Sequence, residues 1–230
     1  VTQRAGGGTR LDSQGQARAF AAVTASRERL PSDLDSLLTG GTCRGVSLDL
    51  SQDEATLKLM DTIKTRWARV DKAAGQVLDN EKSLTSLAKG LESLNAGNNA
   101  VLELSQQASQ QIAQGGGTFR ELDYSNQLAV LSQRIAKNAN TLASSEEIDP
   151  EVAFLLGKDS GTFRDILNGL LKGSDALRLP PVRSEETRVT LSELQKRFAA
   201  YDAGVAVMLQ NMNRLVGAKQ AARGVNNEAE

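Results

Sequence analysis

The sequence predicts an all-α protein, an elongated rod of two stacked antiparallel helical bundles joined by a long helix. Two long stretches place apolar residues in alternating steps of three and four, the period of one helix face. No stretch alternates apolar and polar residues between turn signals, as a half-buried strand does. Hydrophobic residues make up 40% of the chain but aromatic ones only 3%, so Leu, Ala, Val and Ile must fill the core at the short range of helices packed side by side.

The first stripe runs through Met60, Ile63, Trp67, Val70, Ala74, Val77, Glu81, Leu84, Ala88 and Leu91. Ser51 with Glu54 three residues on forms a capping box at its start, and Asn95-Ala-Gly-Asn-Asn99 is the expected break at its end. Shorter helices follow: Leu102 to Gln114, closed by Gly115-Gly116-Gly117; Thr118 to Ser144; and Pro150 to Lys172, where Asp149 caps and Pro150 suits the first helical position. The second stripe, Leu191, Leu194, Phe198, Tyr201, Val205, Met208, Met212 and Leu215, reads as one unbroken helix from Ser184 to Gly217. A polar tail, Ala218 to Glu230, follows it.

The chain also repeats itself. Arg66-Trp67-Ala-Arg-Val70-Asp71 and Gln76-Val77-Leu78-Asp79-Asn80 match Arg197-Phe198-Ala-Ala-Tyr201-Asp202 and Val207-Met208-Leu209-Gln210-Asn211 at one offset, 131 (197 − 66). Leu34-Asp-Ser-Leu37-Leu38-Thr-Gly40 matches Leu167-Asn-Gly-Leu170-Leu171-Lys-Gly173, and Ala19-Phe20 matches Ala153-Phe154, in the same order. Val1-Thr2-Gln3-Arg4 lines up with Leu131-Ser132-Gln133-Arg134. Two copies of one helical unit are the simplest account, with modules at 1–94 and 95–230 and a boundary near Asn95 to Asn99. Trp67 and Phe198, and Val70 and Tyr201, then read as equivalent core positions.

Composition excludes several chemistries. With 27 Lys and Arg against 28 Asp and Glu, the chain has no field to hold a polyanion, so no nucleic acid is expected as a partner. It has no His and one Cys, which removes the usual metal ligands and general base; no cofactor, metal or catalytic residue is expected. Cys43 has no second thiol to pair with. The carboxylates at Glu81, Glu92, Glu103 and Glu121 fall on helix faces without a partnered acid. The runs Gly6-Gly7-Gly8 and Gly115-Gly116-Gly117 lack the Lys-Ser/Thr of a phosphate loop and read as turns or linkers. No apolar run is long enough to span a bilayer.

The segment Gln127-Leu-Ala-Val-Leu131-Ser132-Gln133-Arg134-Ile135-Ala136-Lys137-Asn138-Ala139 resembles the signature helix of the PilJ family, the sensory input domain of type IV pilus chemoreceptors. With the duplicated unit, the resemblance covers nearly the whole chain. Gly6-Gly7-Gly8 departs from it, since the family continues as helix there, and this suggests a first module with a truncated or degenerate opening helix. The resemblance implies a periplasmic ligand-sensing domain of a methyl-accepting chemotaxis protein in the bacterial inner membrane. Such a receptor is a homodimer held by flanking membrane helices absent from this chain, and the isolated region is expected to self-associate weakly. Its input would be pilin, surface contact or a small ligand, and its output a kinase that controls twitching motility. A structural helical spacer and a nitrate-sensor-like small-anion domain are the alternatives.

Ser132, Gln133, Arg134 and Asn138 are the ligand-binding candidates. They lie beside or across from the stripe Leu128, Leu131, Ile135 and Leu142, near a seam. In related nitrate sensors an Arg of the comparable helix meets its symmetry mate across a small anion, and a planar guanidinium suits such a ligand. An ordinary salt bridge is the other reading of Arg134, and helix register through buried hydrogen bonds is the other reading of Gln133 and Asn138.

Overall fold

The computed structural model describes residues 13–43, 46–48 and 54–229. The chain is all-α, as expected. Among the described residues the helices are α1 (Ser13–Thr39), α2 (Glu54–Asp79), α3 (Glu81–Gln114), α4 (Phe119–Ser144), α5 (Pro150–Lys172), α6 (Glu185–Gln210) and α7 (Met212–Ala229). A short antiparallel hairpin, β1 (Gly41–Cys43) and β2 (Val46–Leu48), follows α1 and was not signalled by any alternation. No helix among the described residues is long and apolar enough to cross a membrane. The Ser51 half of the expected capping box, the Gly6-Gly7-Gly8 run and Val1 to Arg4 lie outside the described residues.

Two compact units result, one of residues 1–85 with 213–230 and one of residues 86–212. This division differs from the one drawn from the repeat offsets, 1–94 and 95–230. The Asn95 to Asn99 segment does not break a helix: α3 runs straight through it and absorbs the expected separate helix from Leu102. Leu94 and Val101, on either side, are fully buried, and that packing outweighs the roughly 1 kcal/mol that a Gly costs inside a helix.

The break falls instead at Asn80, and its repeat partner Asn211 ends α6 inside what reads as one continuous heptad. At both places the Asn side-chain amide donates to the carbonyl four residues back, Gln76 O and Val207 O, each at 2.8 Å. A side chain that takes the ladder's own acceptor competes with the next helical bond. The second stripe is therefore interrupted, Gly217 is no stop, and most of the expected polar tail is helix α7.

The second unit is a four-helix bundle of α3 from Ser86 onward, α4, α5 and α6. Caps fix its boundaries. Thr118 accepts from Glu121 N while Glu121 reaches back to Thr118 N, Asp149 accepts from Glu151 N ahead of Pro150, and Ser184 accepts from Thr187 N. Leu191, Leu194, Phe198, Tyr201, Val205 and Met208 of α6 are all buried, as their spacing requires. Phe198 stacks on Phe163 of α5 with ring centroids 4.0 Å apart. The helices α3 and α6 come close at two glycines: a Cβ on Gly204 would stand 2.6 Å from the Gly90 carbonyl oxygen.

The first unit repeats the plan. Helix α2 occupies 54–79 and α6 occupies 185–210, so both ends keep the offset of 131 (185 − 54 and 210 − 79). Gly40 and Gly173, each just past the preceding helix, both take positive φ, 75° and 87°. Each is followed by a β-bridge, Gly41 to Leu48 in one unit and Ser174 to Leu179 in the other. Asp71 pairs with Arg27 of α1 at 2.7 Å, and its counterpart Asp202 pairs with Arg164 of α5 at 2.7 Å.

Burial differs between the copies. Of the α2 stripe only Ala74 is buried, and Trp67 is half-buried rather than core. Its indole lines an open cleft of about 560 Å³ with Pro31, Leu34 and Lys64. The position equivalent to Phe163 is Leu30, so no second aromatic ring is there to cover it. Phe198→Ala should cost about 3 to 5 kcal/mol in urea unfolding and Trp67→Ala clearly less. Gly204→Ala should destabilise the second unit despite its better helix propensity, because its methyl meets backbone; a neutral or stabilising result would show that α3 and α6 can part.

Candidate functional site

Helix α4 carries the four sequence-predicted site residues, and its capping box at Thr118 sets its register. The structure does not gather them in one concavity. Ser132 is fully buried and turns its hydroxyl back to Ala129 O at 2.8 Å. Gln133 is exposed and Asn138 half-buried. Arg134 reaches sideways, where its Nη2 donates to Asp159 Oδ1 of α5 at 2.9 Å.

Asp159 is the residue that sequence reasoning missed. Its side chain is 3% exposed against 50% for Arg134, and its second oxygen, Oδ2, is buried with no hydrogen-bond donor. Burial pushes its carboxyl above the ordinary value of 3.8, with Arg134 and Lys158 pulling the other way. The signal was present: Asp159 falls on the apolar stripe of α5, three residues after Leu156 and four before Phe163.

Next to it, Ser160 Oγ donates to Asp202 Oδ1 of α6, and Arg164 Nη2 donates to both oxygens of the same carboxylate at 2.8 and 2.7 Å. A polar strip on α5 thus ties α4 on one side to α6 on the other.

The second link is Tyr201 of α6, 1% exposed. Its hydroxyl donates to Ser132 O of α4 at 2.8 Å and lies 3.2 Å from Asn98 Oδ1 of α3. Burial pushes this phenol well above the usual tyrosine range, so it stays protonated and a donor. Ser132 therefore contributes its backbone carbonyl to the bundle. Asn95 and Asn140 exchange amide hydrogen bonds at 3.1 and 2.8 Å, adding a further α3–α4 contact.

Chemically, the strip can hold a proton at Asp159 and can exchange partners among two carboxylates and two guanidiniums. No protein-family model matches the chain, and no curated protein matches it.

Because folding raises the Asp159 pKa, its ionised form opposes the fold, and that cost vanishes as pH falls through the folded pKa toward 3.8. Asp159→Asn keeps the shape and an acceptor for Arg134 while removing the buried charge. The variant should melt higher than the parent at pH 7, and the difference should shrink as melts are repeated toward pH 4. A variant less stable than the parent at pH 7 would mean that the Arg134 ion pair outweighs the burial cost.

Proposed function

We propose that this chain is a signal-input module, the periplasmic sensing domain of a bacterial type IV pilus chemoreceptor of the methyl-accepting kind, with no catalytic activity of its own. The observation that carries the reading is a duplicated helical unit whose second copy holds the Leu-Ser-Gln-Arg-Ile-Ala-Lys helix, α4, tied by polar groups to its neighbours. Buried polar contacts of this sort cost stability compared with an apolar core and suit a bundle that holds a specific register. The Asp159 carboxylate engages Arg134 in this state, which favours a protein or neutral input over a small anion bound at that guanidinium.

Its partners are then a second copy within the membrane-anchored receptor and, as input, pilin. The test is thermal unfolding of the chain with purified pilin and, separately, with nitrate. An input that binds only the folded form, present at a hundred times its dissociation constant, adds about 2.7 kcal/mol of stability. A rise with pilin, lost on changing exposed α4 residues such as Gln133, supports the reading. A flat response to both leaves the spacer, and a response to nitrate that Arg134→Ala abolishes supports the anion sensor instead.

A further inference from the structure

At one end of the four-helix bundle, where the turn between α3 and α4 meets the start of α6, lies a pocket of about 160 Å³. The glycine run builds its rim. Gly116 takes φ 71°, and a Cβ on Gly117 would stand 2.5 Å from the Ile112 side chain, so the turn requires glycine at both positions.

Four polar residues line this space, two of them, Thr187 and Gln111, with a buried atom that has no hydrogen-bond partner. Thr187, in the first turn of α6, is 1% exposed, and its hydroxyl has no hydrogen-bond partner. Gln111, in the last turn of α3, gives its amide nitrogen to Glu186 at 2.9 Å, which leaves its Oε1 buried without a donor. Glu121 is 7% exposed; its Oε2 accepts from the Thr118 N–H and hydroxyl, and among the described residues no Lys or Arg pairs with it. Arg183, just ahead of α6, is exposed and has no ion-pair partner among the described residues.

The two sides want opposite ligands. An orphaned amide oxygen beside a carboxylate calls for a positively charged hydrogen-bond donor. A guanidinium beside a helix N-terminus calls for an anion. Ordered water would satisfy Thr187 and Gln111, while a ligand carrying both charges would in addition meet Glu121 and Arg183 with groups of opposite sign. The volume is close to that of a cavity of about 150 Å³ that accepts benzene, a molecule of about six heavy atoms. Ile112 and Val182 supply an apolar wall.

We propose that this pocket binds a small zwitterion of the α-amino acid class. The ammonium sits toward Gln111 Oε1 and Glu121, the carboxylate toward Arg183 and the first N–H groups of α6, and the Thr187 hydroxyl bonds to the ligand between them. As a binding site it stands by itself; as the signal of a receptor it rests on the reading above, and its failure would leave the pilin result untouched.

The test is titration of the whole chain with glycine, L-alanine and L-serine, followed by amide NMR, with glycerol and sodium sulfate as controls. At least one amino acid should give saturable shifts confined to residues around 111–121 and 180–187, and neither control should. Thr187→Val and Arg183→Ala should each weaken binding by about tenfold, as loss of one charge-assisted or buried hydrogen bond does. Arg183 is exposed, so its variant keeps the test alive if Thr187→Val unfolds. No saturable binding by any of the three overturns the proposal. So does equal response to sulfate or glycerol, or binding undiminished in both variants.

Discussion

The second unit depends on a steric constraint, the crossing of α3 and α6 at Gly90 and Gly204. With no Cβ on either side, the backbones come close enough for Leu94 to pack under Gly204 and for Val207 to sit over Gly90. That approach sets where Tyr201 lies, one turn before Gly204 on the same face of α6. Its ring then passes Gly97, where an added Cβ would stand 3.7 Å from it, and delivers the hydroxyl to α4. A chain with so few aromatic residues fills its core by bringing helices close, and here one tyrosine on α6 reaches two others.

What recurs in both units separates scaffold from ornament. The positive-φ glycine after α1 and α5, the β-bridge behind it, the Asn that ends α2 and α6, and the Asp pairing with the preceding helix appear in each copy. Arg27 holds the Asp71 carboxyl below its ordinary value through a hydrogen bond, while Asp202 meets both a guanidinium and a serine hydroxyl. Exposed pairs of this kind add little stability. Their use is in setting which turn of one helix faces which turn of the next, a role that suits polar groups at a seam.

Much of this was legible in the sequence, and the failures have physical causes. Caps announce themselves through residue type, so Thr118, Asp149 and Ser184 fixed three helix starts. The Asn95 to Asn99 segment carried the wrong sign because intrinsic propensity is weak against burial of Leu94 and Val101. Asn80 and Asn211 were invisible because the apolar stripe continues across a one-residue break, with Met208 and Leu215 buried on its two sides. Helix α1 was noticed only as a repeat fragment, since its apolar spacing is thin and Pro31 sits inside it. At the candidate site the residue types on α4 were right, but their partners, Asp159 and Tyr201, sit on other helices. A linear pattern does not name cross-helix partners.

Two kinds of contact hold the helices of the second unit. Sliding α6 one residue along α3 would bring a Cβ-bearing side chain, Ala203 or Val205, to the Gly90 crossing, so these helices hold one register or separate. The links from α5 to α4 and α6 combine apolar packing, with Phe163 stacked on Phe198, and hydrogen bonds and ion pairs between Arg134, Asp159, Arg164 and Asp202. Asp159, buried with one oxygen bonded to Arg134 and the other unpaired, leaves a costly half-satisfied polar group where α4 meets α5.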